Sequence, residues 1–288
     1  MQKITIGGVP EHFNLPWHLA IEAGKFEKQG IDLQWKEFPG GTGDMCTALR
    51  DGSIDIAIIL TEGIIKDIIN GNPSKIVKVY VQSPLLWGVH VAATSKFTEI
   101  QELENARIAI SRYGSGSQLM AKVNAYTHGF NIDNLQYEIV KNLAGGVEAL
   151  SNGTADYFLW EHFTTKPYVD QGVFRRIGTI TTPWPCFVMA VRDDVLAHQK
   201  EEIATVIKVI NKQLSDFKNP LENENLIQLF SERYNQTIID IKKWLFITKW
   251  NTKKSISKKL IATIQNKLIQ FSVINNSIPD NQLIKKVF

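Results

Sequence analysis

The chain has 288 residues, of which 44% are hydrophobic and 21% are charged, a composition typical of a globular protein with about two domains. Its formal net charge of +3 argues against nucleic-acid binding, because that function requires a dense basic face. The two cysteines, Cys46 and Cys186, are too few for a disulfide framework or a zinc cluster.

The first part of the chain alternates predicted strands and helices. Short β-rich or apolar runs predict strands at 3–8, 31–38, 54–60, 75–81 and 89–93. Apolar residues at helical spacing predict helices from Leu15 to a stop at Gly30, from about Asp44, and at about 62–70. Strands that alternate with helices imply right-handed crossovers and a mostly parallel sheet.

The same order of elements begins again near residue 106. Predicted strands follow at 106–111, 135–141, 155–160, 174–180 and 186–192. A glycine turn, YGSGS (113–117), precedes a helix that is expected to end at Gly129. Beyond residue 194 the pattern is almost entirely helical, with helices predicted at 194–217, 222–232, 236–249 and 255–271. Seven lysines between residues 242 and 259 alternate with apolar residues, which favours a solvated helix face.

A short motif occurs once in each of these parts, as ALRDGSIDIAIIL (48–60) and ALSNGTADYFL (149–159). The two segments align Leu49 with Leu150, Gly52 with Gly153 and Asp55 with Asp156. We expect each glycine to end a helix at positive φ, and each aspartate to stand at the entry to a buried strand. Connections from helix to strand commonly look like this, but the matching order of whole elements favours two related α/β lobes.

Longer segments carry a family resemblance. LAIEAGKFEKQGIDLQWKEFPGG (19–41) with ALRDGSIDIAI, and ARIAISRYGSGSQLMA (106–121) with EALSNGTADYFLWEHFTTKPY (148–168), resemble the type II periplasmic-binding-protein-like family. The nearest branch is that of nitrate, sulfonate, taurine and thiamine-pyrimidine-precursor binders of ABC transporters. The resemblance implies an α/β fold of two lobes joined by a two-segment hinge, with lobe one at 1–93 plus 187–288 and lobe two at 94–186. It also implies a ligand between the lobes, at the carboxyl ends of the strands.

The YGSGS turn is the sharpest candidate for ligand binding. Glycines before a helix leave N–H groups without acceptors, and Ser115, Gly116 and Ser117 together with the helix dipole would form an anion site. Arg112 could assist if its side chain points inward. The alternative is that Ser117 is only an N-cap and the glycines only form a turn. The GGTGD segment (40–44) is a weaker site of the same kind, with Asp44 predicted as an N-cap, and neither segment matches a nucleotide-binding loop.

Glu62 and Glu161 each follow an apolar strand, at or near the same position of the repeat. Glu161 lies in WEHF, where a carboxylate beside an indole would suit an aromatic heterocycle with N–H donors, such as an aminopyrimidine. For Glu62, a charge at a helix N-terminus is an equally good interpretation. The predicted ligand-binding residues are Phe13, Asn14, Thr61, Glu62, Arg112, Ser115, Gly116, Ser117, Trp160, Glu161, His162 and Trp184.

Catalytic chemistry has little support in the sequence. The six histidines show no metal-binding spacing, and no G-x-S-x-G motif is present, so no catalytic residue, metal or cofactor is predicted. Thiamine-pyrimidine synthases on this fold resemble the chain, but their cysteine-rich run has no counterpart here. The sequence therefore predicts a solute-binding protein that closes its interlobe cleft on a small anionic or aromatic heterocyclic ligand, with an ABC transporter permease as partner. A cytoplasmic biosynthetic enzyme on the same fold is the alternative, and a ligand-sensing domain of a transcription regulator is less favoured.

The location depends on the N-terminus. No run approaches the roughly 18 apolar residues of a transmembrane helix, and MQKITIGGVP enters a strand with no signal-peptide pattern. We expect a periplasmic or extracytoplasmic protein if a signal sequence has been removed, and a cytoplasmic one if Met1 is native.

Overall fold

A computed structural model describes residues 1–253 and 256–288. Lys254 of the lysine-rich stretch and Ser255 of the last predicted helix lie outside the described residues. The chain divides into two compact units. The first consists of Met1–Ser83, Trp184–Ile269 and Ile274–Phe288, and the second of Pro84–Pro183 and Gln270–Val273.

The strands are β1 (Gln2–Gly8), β2 (Ile31–Glu37), β3 (Ile56–Leu60), β4 (Ser74–Val81), β5 (Leu86–Ala92), β6 (Arg107–Ile110), β7 (Gln136–Ile139), β8 (Tyr157–Glu161), β9 (Phe174–Thr181) and β10 (Phe187–Arg192). The α-helices are α1 (Leu15–Glu22), α2 (Thr42–Asp51), α3 (Thr61–Ile69), α4 (Gly116–His128), α5 (Leu143–Asn152), α6 (Lys166–Asp170), α7 (Asp193–His198), α8 (Lys200–Ser215), α9 (Glu224–Tyr234), α10 (Ile238–Ile247), α11 (Lys258–Gln270) and α12 (Asp280–Leu283). None of the described helices is both long enough and apolar enough to cross a membrane.

Each unit contains one five-stranded sheet, in the order β2-β1-β3-β10-β4 in the first and β7-β6-β8-β5-β9 in the second. The predicted α/β class with two α/β lobes is confirmed. The expectation of mostly parallel sheets is confirmed, because four of the five described strands of each sheet run in the same direction. The exceptions are β10, which runs antiparallel to β3 and β4, and β5, which runs antiparallel to β8 and β9. These two strands follow the points where the chain passes from one unit to the other, so they do not arrive through the βαβ crossovers that enforce parallel pairing.

The unit boundaries differ from the predicted 93/94 and 186/187. Strand β5 belongs to the second unit because it hydrogen-bonds along its length to β8 and β9. Gln270–Val273 also belongs to the second unit. The Phe271 ring packs 5.3 Å from that of Tyr126, and Lys122 Nζ donates to the Ser272 carbonyl at 2.8 Å. Hydrogen bonding in the sheet, and not the apolar pattern alone, therefore sets the boundary.

The repeated motif has the same geometry in both units. Gly52 ends α2 at φ 78° and Gly153 ends α5 at φ 74°, so the predicted positive-φ caps are confirmed. The Asp55 carboxylate accepts from the N–H of Thr5 at 2.8 Å, and its own N–H donates to the Thr5 carbonyl at 2.8 Å. Asp156 makes the same pair of bonds with Arg107, at 2.7 and 2.8 Å. Each aspartate thus ties the start of its buried strand to the first strand of its own βαβ unit.

Alanine at Asp55 or Asp156 is expected to lower the free energy of unfolding by about 1–3 kcal/mol, because a strand N–H loses its acceptor. The larger loss is expected at Asp55, whose bond to Thr5 is partly buried, whereas the Asp156 bond is exposed. Urea unfolding followed by circular dichroism measures both. Asparagine keeps a side-chain oxygen, so Asp55→Asn is the matched control. Equal losses for the alanine and asparagine variants would contradict the proposed role of this oxygen.

Three helix predictions need correction. The helix expected to run from Leu15 to Gly30 already ends at Glu22, because Gly24 adopts φ 62°. The single helix expected at 194–217 is two helices, α7 and α8, because Gln199 leaves the helical region at φ −132° and ψ 35°. Asp44 is not an N-cap. Helix α2 already begins at Thr42, and Gly41 caps it at φ 73°, a conformation that glycine adopts without strain. The lysines of the 242–259 stretch are exposed wherever the structure describes them. The predicted solvated helix face is confirmed for the lysines of α10 and α11, whereas Lys249 and Lys253 lie between these helices.

Candidate functional site

A cluster of three serines surrounds the N-terminus of α4 in the second unit. Ser115 is the N-cap, and its Oγ accepts from the N–H of Gln118 at 3.3 Å. The Ser117 Oγ accepts from the N–H of Ser111 at 3.0 Å, and it lies 3.1 and 3.0 Å from the hydroxyls of Ser111 and Ser115. The alternative in which Ser117 caps the helix is therefore wrong, and the sequence missed Ser111 as a member of the cluster.

This serine turn presents donors to a ligand. The N–H groups of Gly116 and Ser117, the first two of α4, have no acceptor in the part of the chain that the structure describes. Arg112 is half-buried, and its guanidinium has no side-chain partner among the described residues. Two N–H groups, a helix N-terminus and a guanidinium next to the turn form a set of donors suited to an anion.

The WEHF segment lies at the end of β8. Glu161 is buried, and its Oε2 accepts from the N–H groups of Phe163 and Thr164, at 2.9 and 2.6 Å, and from the Thr164 hydroxyl at 2.8 Å. Burial raises the pKa of this carboxyl above its usual range. Trp160 is half-buried and stacks on Phe158, with ring centroids 5.2 Å apart. One oxygen of Glu161 therefore holds the turn that follows β8.

His162 contacts an arginine that the sequence analysis did not single out. Arg176 Nη2 donates to the His162 carbonyl at 2.8 Å, and Arg176 Nη1 lies 2.5 Å from His162 Nε2. On strand β5, His90 Nε2 lies 2.9 Å from the Thr165 hydroxyl. Burial, with Arg176 nearby, lowers the pKa of His90 to about 3. Strand alternation in FRRIGTI could have identified Arg176, since it places the two arginines on opposite faces.

The first unit brings Thr61, Glu62 and Trp184 together where β3 meets α3. Trp184 Nε1 donates to Glu62 Oε2 at 2.8 Å, and the two side chains are only 3% and 2% exposed. The Thr61 hydroxyl donates to the Pro185 carbonyl at 2.6 Å, and the Thr61 N–H donates to that of Cys186 at 3.0 Å. These bonds hold the segment before β10 against the start of α3.

The second oxygen of Glu62 is buried and has no hydrogen-bond partner in the described chain. Burial raises the pKa of Glu62 to about 7, although the bond from Trp184 opposes this. Glu62 is the second residue of α3, whereas Glu161 is the last residue of β8. In the register of the repeat the two glutamates therefore stand two residues apart.

Asn14 and Phe13 lie at the N-terminus of α1. Asn14 is fully buried, with Nδ2 donating to the Val9 carbonyl at 2.8 Å and Oδ1 without a partner among the described residues. Phe13 is 3% exposed and packs against the rings of Phe187 and Trp244, each at 5.1 Å. Phe13 is therefore packed like a core residue, whereas Asn14 keeps its Oδ1 available as an acceptor.

The predicted residues thus form separate groups. One contains Thr61, Glu62 and Trp184 in the first unit. The second unit contains the serine turn with Arg112 and the contiguous Trp160, Glu161 and His162. In residues 1–253 and 256–288, no group of three or more His, Cys, Asp and Glu side chains could hold a metal ion.

Comparison with known proteins identifies the fold. The sequence model of a family described as Ca3427-like PBP matches residues 87–180, which contain β6, β7 and β8 and nearly all of β5 and β9 of the second unit. The CA3427 gene product of Candida albicans, described as defining a new family with the generic periplasmic binding protein structural fold, is 26% identical. The match covers 99% of this chain and 97% of that one, with a TM-score of 0.90. A search of curated protein sequences found no match.

More distant structures share the fold. The alkanesulfonate-binding protein SsuA from Xanthomonas axonopodis pv. citri, bound to MOPS, is 13% identical, with a TM-score of 0.80 and 99% of both chains covered. The periplasmic nitrate-binding protein NrtA from Synechocystis PCC 6803 is 14% identical, with a TM-score of 0.65, and the match covers 100% of this chain and 92% of that one. The chain therefore has the periplasmic-binding-protein fold, and the resemblance read from the sequence is confirmed.

Proposed function

We propose that this protein is a solute-binding protein for a small organic or inorganic anion, which the serine turn and Arg112 bind. The observation that carries the proposal is the pair of N–H groups without acceptors, Gly116 and Ser117, beside a half-buried guanidinium that has no partner among the described residues. An anion supplies the acceptors that these donors lack.

The structural neighbours support a role in transport. They include a ligand-binding component of an ABC-type import system from Staphylococcus aureus as well as the alkanesulfonate and nitrate binders. By analogy, the chain would deliver its ligand to an ABC transporter permease. Binding would be coupled to a hinge motion, with a ligand that contacts both units stabilising the closed state.

A second ligand class has an observation of its own. The Glu62 carboxyl, next to the Trp184 indole, offers a buried oxygen without a hydrogen-bond partner in the described chain. A heterocycle with an N–H donor, such as an aminopyrimidine, would satisfy that oxygen and could stack on an aromatic ring. This interpretation requires no catalytic step.

Titration calorimetry with alkanesulfonates, nitrate, short carboxylates and aminopyrimidines tests both ligand classes. We expect the Arg112→Met variant to bind the preferred anion about ten- to hundredfold more weakly, because a hydrogen bond to a charged group contributes roughly 1.5–3 kcal/mol. Lys96→Met removes an exposed cation of the same unit and is the control. Anion binding that Arg112→Met leaves unchanged would overturn the assigned site. If the folded wild-type chain bound none of these compounds, the proposed function would be overturned.

A further inference from the structure

The first unit contains a large groove that the proposed function does not use. It has a volume of about 900 Å³ and lies between α8, the segment 217–222 and the segment 245–252. A volume of this size falls in the range of small-molecule sites, roughly 300–1,000 Å³.

The floor of the groove is apolar and fixed in place. Leu214, Phe217 and Leu245 line it and are buried. The ring of Phe217 lies 5.3 Å from that of Trp250, and the Trp250 Nε1 donates to the Phe13 carbonyl at 3.0 Å. Because aromatic contacts and a hydrogen bond hold these side chains, the floor is formed before any ligand arrives.

Two apolar side chains stand exposed at the edge of this floor. Phe246 is 74% exposed and Leu221 is 40% exposed, and both line the groove. Large apolar side chains that line a concave site are typical of surfaces that bind an apolar group. Phe246 and Leu221 therefore indicate that a ligand would place an apolar body against their side chains.

The rim of the groove is positively charged. Lys212, Lys218 and Lys249 line it, are exposed, and form no ion pair with the described residues. Among the described residues that line the groove the one carboxylate is Glu222, which accepts from Asn219 Nδ2 at 3.2 Å. Three cations against one carboxylate favour a ligand with negative charge.

A fourth amine lies behind the wall of the groove. Lys78 is fully buried, and its Nζ donates to Asn211 Oδ1 and to the Asn251 carbonyl, each at 2.7 Å. Asn211 lines the groove, and its Nδ2 is buried without an acceptor in the described chain. Asn211 thus accepts from the buried lysine through Oδ1, while its Nδ2 still has a hydrogen to donate.

We propose that this groove is a second binding site, for an amphipathic organic anion with an extended or flat apolar body. The apolar body would contact Phe217, Trp250 and Phe246, and the anionic head would contact the rim lysines. This site is separate from the serine turn and does not depend on the proposed function.

The test uses the full chain with leucine methyl groups labelled for NMR, titrated with decanoate below its micelle concentration. We expect methyl shifts at Leu214, Leu221 and Leu245, and binding at least tenfold weaker for the uncharged decanol. Shifts confined to other leucines, or decanol that binds as tightly as decanoate, would overturn the proposal.

Matched variants separate charge from packing. The triple variant Lys212→Gln, Lys218→Gln, Lys249→Gln should bind decanoate at least tenfold more weakly, whereas Lys200→Gln, an exposed lysine at the start of α8, should bind like wild type. Phe246→Ser, at an exposed position, should also weaken binding. Arg112→Met should leave the groove shifts unchanged, which distinguishes failure of this site from failure of the serine turn. A triple variant that binds like Lys200→Gln would overturn the role of the lysines.

Discussion

Replacing Glu62 with glutamine is expected to remove a loss of stability that wild type undergoes between about pH 4.5 and pH 7. Burial raises the pKa of Glu62 from 4.5 to about 7. The difference between the free energies of unfolding of the variant and of wild type should therefore shift by about 3 kcal/mol in favour of the variant over this range, since one pKa unit corresponds to about 1.4 kcal/mol.

The direction of this stability change follows from whether Glu62 binds a proton in the native and in the unfolded protein. Between pH 4.5 and pH 7 the unfolded chain has lost the Glu62 proton while the native protein keeps it, so wild-type stability falls as the pH rises. Glutamine cannot ionise, yet its side-chain oxygen can still accept from Trp184 Nε1. The hydrogen bond observed at 2.8 Å is thus retained, and the variant differs chiefly in charge.

Urea unfolding of both proteins at pH 4, 5, 6, 7 and 8 measures the difference. Buried His90 changes stability in the opposite direction, because burial lowers its pKa to about 3, so the difference between variant and wild type is the informative quantity. Glu27→Gln, at an exposed glutamate of the same unit, controls for the loss of a surface carboxylate. A difference that does not change from pH 4 to pH 8 would show that Glu62 is not held neutral.

Local chemistry made part of this structure predictable. Gly52 and Gly153 could be assigned to helix ends because glycine adopts positive φ without strain and its spacing to the aspartate and apolar run was repeated. The turn at YGSGS before α4 was predictable as well, since glycine and serine before an amphipathic run indicate a helix start, although Ser111 was missed. In both cases the interactions that decide the outcome lie within a few residues.

Contacts between distant parts of the chain were not predictable. The sequence singled out both Glu62 and Trp184, but the hydrogen bond between them joins residues 122 positions apart, and no local pattern indicates that pairing. The antiparallel insertion of β5 and β10 depends on where the chain passes between units. Alternation along FRRIGTI separates the two arginines, but the contact of Arg176 with His162 depends on the pairing of β5 with both β8 and β9.

Lys78 is the clearest example of a residue whose burial the sequence hides. In KIVKVYV a lysine flanked by apolar residues suggests a half-exposed strand, yet Lys78 is fully buried. The acceptors that make this tolerable, Asn211 and the Asn251 carbonyl, come from 133 and 173 positions further along the chain. Burial lowers the pKa of Lys78 from 10.5 to about 7.

The Lys78→Met variant is therefore expected to lack a gain in stability that wild type shows as the pH rises from 7 to 10.5. In this range the unfolded chain binds a proton at Lys78 that the native chain has released, so the wild-type free energy of unfolding increases with pH. The shift of about 3.5 pKa units corresponds to roughly 5 kcal/mol across the whole range. Methionine removes the titrating amine but leaves Asn211 Oδ1 and the Asn251 carbonyl without this donor, which costs about 1–3 kcal/mol each.

The free energy of unfolding of wild type should consequently exceed that of Lys78→Met most at high pH. The difference between the two should narrow or reverse near pH 7. Urea unfolding at pH 7, 8, 9 and 10 measures it, with Lys200→Met as the control for loss of a surface charge. Parallel pH profiles for Lys78→Met and wild type would mean that the native amine stays charged.

Decanoate in the groove offers a further check, because an anion near Asn211 would favour the protonated amine behind it and flatten the wild-type profile. The same addition to Lys78→Met should leave the slope of its profile unchanged, because the titrating group is gone.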